Sequence, residues 1–157
     1  MIYKYTDDIM KTPCEKFNFE FPQKDPLELT KELAETMIAN NGLGLSANQI
    51  GYPYQAFVIN SSEIIAVFNP KIIDISEETT NLDEGCLSIP GFYVKVKRPN
   101  KIKVRYTQPN GEVITKIFEG MTAKIFMHEY DHLYGINMKQ RANRYHLEQA
   151  NKRFKKK

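Results

Sequence analysis

The sequence predicts an α+β fold: antiparallel β-sheets packed around a central helix that carries an HExxH pattern, with a further helix towards the N-terminus. Three observations carry this expectation. A capped amphipathic pattern spans residues 25–42, short alternating segments separated by turn signals fill residues 54–118, and a helical pattern over residues 120–133 is apolar on two faces.

The N-terminal helix begins with Asp25 as N-cap, Pro26 at the first helical position and Glu28 three residues after the cap. Leu29, Leu33 and Met37 recur every four residues and define one buried face. Asn40, Asn41 and Gly42 accept positive φ and stop the helix. Beyond a glycine-rich segment at 42–51, residues 54–60 and 64–68 read as a strand pair joined near Ser61 and Ser62, and 71–75 continues the sheet after Pro70. Residues 93–97, 101–107 and 112–118 alternate apolar and polar positions around turns at Pro99-Asn100 and Pro109-Asn110-Gly111. They read as an antiparallel meander with Val94, Val96, Ile102, Val104, Val113 and Ile117 on its buried faces. In the central helix, Ala123, Phe126, Tyr130 and Leu133 form one stripe, and Met121, Ile125, His128 and His132 form another. Two stripes mean burial on most sides, and Gly135 stops the helix.

At 157 residues the chain has room for one domain. No apolar run approaches the roughly 20 residues of a membrane span, and MIYKYTDDIMKTP lacks the apolar stretch of a secretory signal. No membrane association and a cytoplasmic location are therefore expected, with Cys14 and Cys86 reduced unless a metal holds one. The net charge of +3 conceals an asymmetry: residues 139–157 carry eight Lys/Arg against one Glu, so the remainder is mildly acidic. The reading is a domain body over 1–138 with a short basic C-terminal tail of the same domain over 139–157. That tail, the one part that could be loosely attached, is either a solvated end or a contact to a polyanion such as ribosomal RNA through Lys139, Arg141, Arg144 and residues 152–157.

The segment His128-Glu129-Tyr130-Asp131-His132 carries the sharpest chemistry. Residues four apart on a helix project from one face, so both imidazoles can reach one cation, while Glu129 sits beside the first without ligating. A third ligand must come from elsewhere. The metzincin continuation HExxHxxGxxH is closed, because Met138 occupies its last position. Glu148, the only acidic residue after His132, lies in the basic tail and makes a poor ligand. The best soft donor upstream is Cys86, on a turn in Glu84-Gly85-Cys86-Leu87-Ser88, whereas Cys14 reads as a small buried hydrophobe. The glycine-rich segment follows a helix and lacks a P-loop lysine, so nucleotide binding is disfavoured. Close approach to an extended peptide, with Gln49 as a side-chain donor, explains it as well.

Taken together, GLGLSANQ, EGCLS and HEYDH resemble peptide deformylase, whose pattern is GxGxAAxQ, EGCLS and HExDH in that order. The resemblance spans roughly residues 25–138. The chain departs from it at Ser46, usually alanine, at Met127, where glutamine is common, and in its short tail. The resemblance implies a metal-dependent hydrolase that removes the formyl group from the N-terminal formyl-methionine of new polypeptides. It implies one divalent ion, iron(II) favoured with zinc, nickel or cobalt accepted, on Cys86, His128 and His132, with water in the fourth position. Glu129 then exchanges the proton, and the Gln49 amide and Leu87 N–H stabilise the oxyanion. The formyl-Met chain lies extended along Leu43, Gly44 and Gly85, with Ile125 and Leu87 walling the methionine pocket. Asp131 and Glu84 either orient an imidazole or pair with Arg98. A monomer is expected. Two rivals remain open: a metallopeptidase of another clan, and a zinc-stabilised module that binds RNA or ribosomes without catalysis.

Overall fold

The Asp25 start signal works through its carboxylate, which accepts from the backbone N–H groups of Leu27 and Glu28. In the computed structural model, which describes residues 1–156, the helix it caps (α2, Pro26–Ala39) buries Leu29, Leu33 and Met37. Asn41 takes φ of 55° just past its end. A single turn, α1 (Asp8–Lys11), precedes it. There follow β1 (Gly44–Ser46), a 3₁₀ turn at Ala47–Ile50, β2 (Ala56–Asn60), β3 (Ile64–Ile75), β4 (Thr79–Cys86), β5 (Ile89–Pro99), β6 (Lys101–Thr107) and β7 (Val113–Glu119). Helices α3 (Gly120–His132), α4 (Met138–Arg141) and α5 (Arg144–Lys155) complete the chain. All strand pairs are antiparallel, in a five-stranded sheet ordered β1-β2-β3-β6-β7 and a two-stranded sheet of β4 and β5.

Helix α3 fills the space between the sheets. Ala123, Phe126 and Leu133 pack on Phe57, Ile59, Val104 and Phe118 of the larger sheet, while His128 turns to the smaller one, 2.8 Å from Glu84 on β4. Helix α2 covers β1 and β2 through Leu33, Met37, Leu45 and Val58. The α+β class with antiparallel sheets and an N-terminal helix is as expected.

Three expectations are corrected. The 93–97 segment does not join a meander with 101–107. It lies within β5, which pairs with β4, and the chain crosses to the other sheet at Pro99-Asn100. Strand β4 escapes sequence reading because TTNLDEGC contains one aliphatic residue, Leu82, and so has no apolar alternation. Second, Val113 and Ile117 are exposed. Residues paired across strands share a face, and Phe118 and Ile114 pair with the inward Ile102 and Tyr106, which sends Ile117 outward beside Lys103. Third, the C-terminal segment is not loosely attached. Met138 and Ala150 are buried with Phe92, Val94 and Val96 of β5, and the Phe154 ring lies edge-on to Phe92 at 5.6 Å.

Gly135 ends α3 at φ of 75°, and a Cβ there would lie 2.5 Å from the Lys11 carbonyl oxygen. Both backbone strain and a clash with main chain oppose any side chain. Gly135→Ala should lose about 2–4 kcal/mol of stability, read by denaturant unfolding. A loss below about 0.5 kcal/mol would mean the 11–14 segment yields freely.

Candidate active site

The HExxH pattern falls in the last turns of α3, where helical spacing brings the two imidazoles together edge to face. Their ring centroids are 4.8 Å apart at 83°, and their Nε2 atoms are 3.2 Å apart. Strand β4 delivers the third donor. A register shift between Gly85 and Cys86 turns the chain into β5 and leaves Cys86 Sγ 3.3 Å from His132 Nε2. All three donor atoms lie within 4.8 Å of one another.

This donor set fits a single divalent ion. With metal–nitrogen bonds of about 2.05 Å and a metal–sulfur bond of about 2.3 Å, tetrahedral donors stand about 3.3–3.6 Å apart, close to the two shorter edges here. Burial disfavours charge on both rings, yet hydrogen bonds with Cys86 and Glu84 outweigh it at His128 and raise its affinity for a proton well above normal. At His132, burial and the His128 and Arg98 charges act together and drive protonation well below the ordinary range.

Around these donors, each polar group is aimed. His128 Nδ1–H donates to Glu84 Oε1 at 2.8 Å, which leaves Nε2 as the ligating lone pair. Burial alone would raise the Glu84 carboxyl, but hydrogen bonds from His128 and Arg98 hold it down to about 2. Gln49, in the 3₁₀ turn, is oriented by its own capping box. Its Oε1 accepts from Ser46 N–H at 2.9 Å, so its Nε2 faces Ser88 Oγ at 3.0 Å and Cys86 Sγ at 3.7 Å. Asn48 donates to the His132 carbonyl at 2.8 Å and ties this turn to the end of α3.

Glu129 is 3% exposed, with Oε2 4.0 Å from His128 Nε2. Among the described residues its Oε1 has no hydrogen-bond partner. Burial pushes its carboxyl up to about 7, although the His128 charge opposes this. Such a group can both accept and release a proton near neutrality.

A cavity of about 720 Å³ opens onto this cluster, lined by Leu43, Gly44, Gly85, Leu87 and Ile125 among others. His132, 1% exposed, lies behind the lining. The two glycines have a second reason to be glycine. A Cβ on Gly44 would lie 2.6 Å from Glu129 Oε2, and one on Gly85 would lie 2.5 Å from the Tyr93 ring. Of the acidic pair left open by sequence, Glu84 orients His128 and also pairs with Arg98, while Asp131 pairs with Arg98. Sequence reading passed over Ser88, Asn48 and the link from Arg141 to Asp131. The first two lie inside the motif segments, a signal that was available.

An α+β chain that gathers one sulfur and two imidazoles beside a buried carboxyl at a cavity is, by class, a metallohydrolase. The comparisons with known proteins give its family. The pattern of the family described as polypeptide deformylase matches residues 1–148. The peptide deformylase of Thermotoga petrophila is 43% identical over 114 residues, covering 71% of this chain and 70% of that one. Peptide deformylase 1 of Bacillus anthracis is 36% identical over 151 residues, 94% of each. The crystal structure of the Synechococcus elongatus peptide deformylase in complex with actinonin superposes with a TM-score of 0.89 at 31% identity, covering 99% of this chain and 85% of that one. The chain belongs to the polypeptide deformylase family.

Proposed function

We infer that the chain hydrolyses the formamide of N-terminal formyl-methionine on newly made polypeptides, releasing formate and a free amine. The observation that carries this reading is the Cys86, His128 and His132 donor cluster facing the cavity beside Glu129 and Gln49. Those three residues would hold the divalent ion. When bound, the ion supplies Lewis acidity and makes water nucleophilic at neutral pH. Glu129 takes the proton from the attacking water and gives it to the departing amine. Gln49 Nε2 and the Leu87 backbone N–H donate to the oxygen as negative charge develops. Leu43, Gly44 and Gly85 present main chain for an extended substrate, with Leu87 and Ile125 against the methionine side chain. The thiolate and two imidazoles suit several first-row ions. Iron(II) is our first assignment, with zinc, nickel or cobalt as substitutes.

The direct test is metal analysis of anaerobically purified protein together with formate release from formyl-Met-Ala. One equivalent of metal and rapid release are expected. Stoichiometric metal without formate would remove the substrate assignment. Gln49→Leu should lower kcat by about 10²–10³-fold at unchanged metal content. Metal loss instead would make Gln49 a support of the site.

The basic C-terminal segment is proposed to touch ribosomal RNA near the nascent chain, with its residues narrowed by three engagements. Arg141 is bound to Asp131, Lys139 Nζ sits over the Tyr5 and Phe92 rings, and Arg153 donates to the Tyr93 carbonyl at 3.3 Å. The contact therefore falls to Arg144, Lys152 and Lys155 of α5 and to Lys156 at its C-cap; Lys157 lies outside the described residues. Ribosome binding should weaken steeply with salt, and a variant with these four replaced by glutamine that binds as before would refute the assignment. No helix among the described residues is long and apolar enough to cross a membrane. We assign the chain to the cytoplasm as a monomer, with residues 1–138 as the catalytic domain and 139–157 as its C-terminal extension. Light scattering tests the monomer.

A further inference from the structure

We propose that Arg141 is a positioning residue for the metal centre, acting through a relay of buried ion pairs that ends on His128. Arg141 Nε and one terminal nitrogen grip the two oxygens of Asp131 at 3.1 and 2.9 Å. Asp131 Oδ2 also accepts from Arg98 at 2.9 Å. Arg98 turns its remaining donors onto Glu84, with one bond of 3.0 Å to Oε1. That same Oε1 accepts from His128 Nδ1 at 2.8 Å.

Three members of the relay are largely buried: Arg98, Asp131 and Glu84 have side chains 6, 8 and 10% exposed, with Glu84 at the cavity wall. Arg141, 49% exposed, is its outer end. The charges balance, two guanidiniums against two carboxylates. Without Arg141, Asp131 loses two of its three side-chain bonds and stays buried with Arg98 as its one cation. Arg98 cannot satisfy Asp131 more fully without loosening its fork on Glu84, because a planar guanidinium serves both carboxylates from fixed directions. A looser Glu84 holds His128 less firmly, and a ligand's outer partners set metal affinity.

Arg141 reaches Asp131 because α4 is set there. Asn137 accepts from Lys139 N–H, and the Gln140 side chain accepts from Asn137 N–H at 2.9 Å, which fixes the turn. Arg141 thereby joins the segment after the metal-binding helix to the metal centre itself.

This rests on Cys86, His128 and His132 being ligands, so the test reads metal release, not turnover. Wild type, Arg141→Ala, Arg141→Lys, Glu84→Gln and the Arg141→Ala/Glu84→Gln double variant are loaded with cobalt(II). Release to excess chelator is followed by the loss of the thiolate–cobalt absorption, at a temperature where circular dichroism shows each folded. Arg141→Ala should release metal several-fold faster than wild type, within the range of about 10–100-fold expected for outer partners. Arg141→Lys, which keeps the charge without the fork, should lie between. The double variant should be no faster than Glu84→Gln alone, because one path carries both effects. A surface control, Lys31→Ala, should match wild type.

A merely structural role would lower the thermal midpoint of Arg141→Ala while leaving release from the folded protein at the wild-type rate, and that result overturns the proposal. Additive effects in the double variant overturn the relay as well. Wild type that takes up no cobalt overturns the metal assignment itself, a failure distinct from the other two.

Discussion

Glu129→Ala should keep its metal and lose about 10²–10⁴-fold in formate release, the clearest separation of binding from chemistry this site offers. The carboxylate is not among the three converging donors, and its nearer oxygen stands 4.0 Å from His128 Nε2. Its other oxygen is buried without a partner among the described residues. Folding alone gives no reason to keep such a group, since a buried acceptor left unbonded costs about 1–3 kcal/mol. The variant should therefore be as stable as wild type or more so, and a thermal midpoint held or raised is part of the expected result. Glu129→Gln, with the same shape and no exchangeable carboxyl proton, should fall as far in turnover. Near-normal formate release by either variant would take Glu129 out of the chemistry. Loss of metal would instead make it a support of His128.

What sequence reading could see depended on how local each signal is. Helix α2 was legible because its cap, its first proline and its four-residue apolar spacing all lie within its own residues. Strand β4 was not, because a ribbon packed with one small face inward needs few apolar residues, and Leu82 alone marks it. The parity of β7 was misjudged for a related reason. Both of its faces carry aliphatic residues, and the choice is made by the partner strand, where Ile102, Val104 and Tyr106 already face inward. At the site, His128 and His132 announce themselves by spacing, and Cys86 by exclusion of the downstream alternatives. The Arg141–Asp131 pair has no comparable mark. It depends on the turn after Gly135 and on the capping of α4, neither of which leaves a periodic trace.

The two cysteines give the second large effect and a control within one chain. Cys86→Ala removes one of three protein donors. Four-ligand zinc sites gain about 10–16 kcal/mol, so one ligand is worth about 3 kcal/mol, or at least a hundredfold in affinity. After dialysis against a mild chelator, Cys86→Ala should hold almost no metal while wild type keeps one equivalent. Its fold should persist, because the sulfur's polar side-chain neighbours are the site's own: His128, His132, and Gln49 at 3.7 Å. Cys14 is the contrast. It is packed with Phe57 and Leu133 in the core, and burial pushes its thiol up to about 12, so it is neither a ligand nor a nucleophile at neutral pH. A thiol reagent applied to folded wild type should therefore find nothing until the metal is stripped, and then modify Cys86 alone. Undiminished metal in Cys86→Ala would leave two imidazoles four residues apart as the whole binding site. A pair of donors cannot by itself fix the tetrahedral geometry that the sulfur completes.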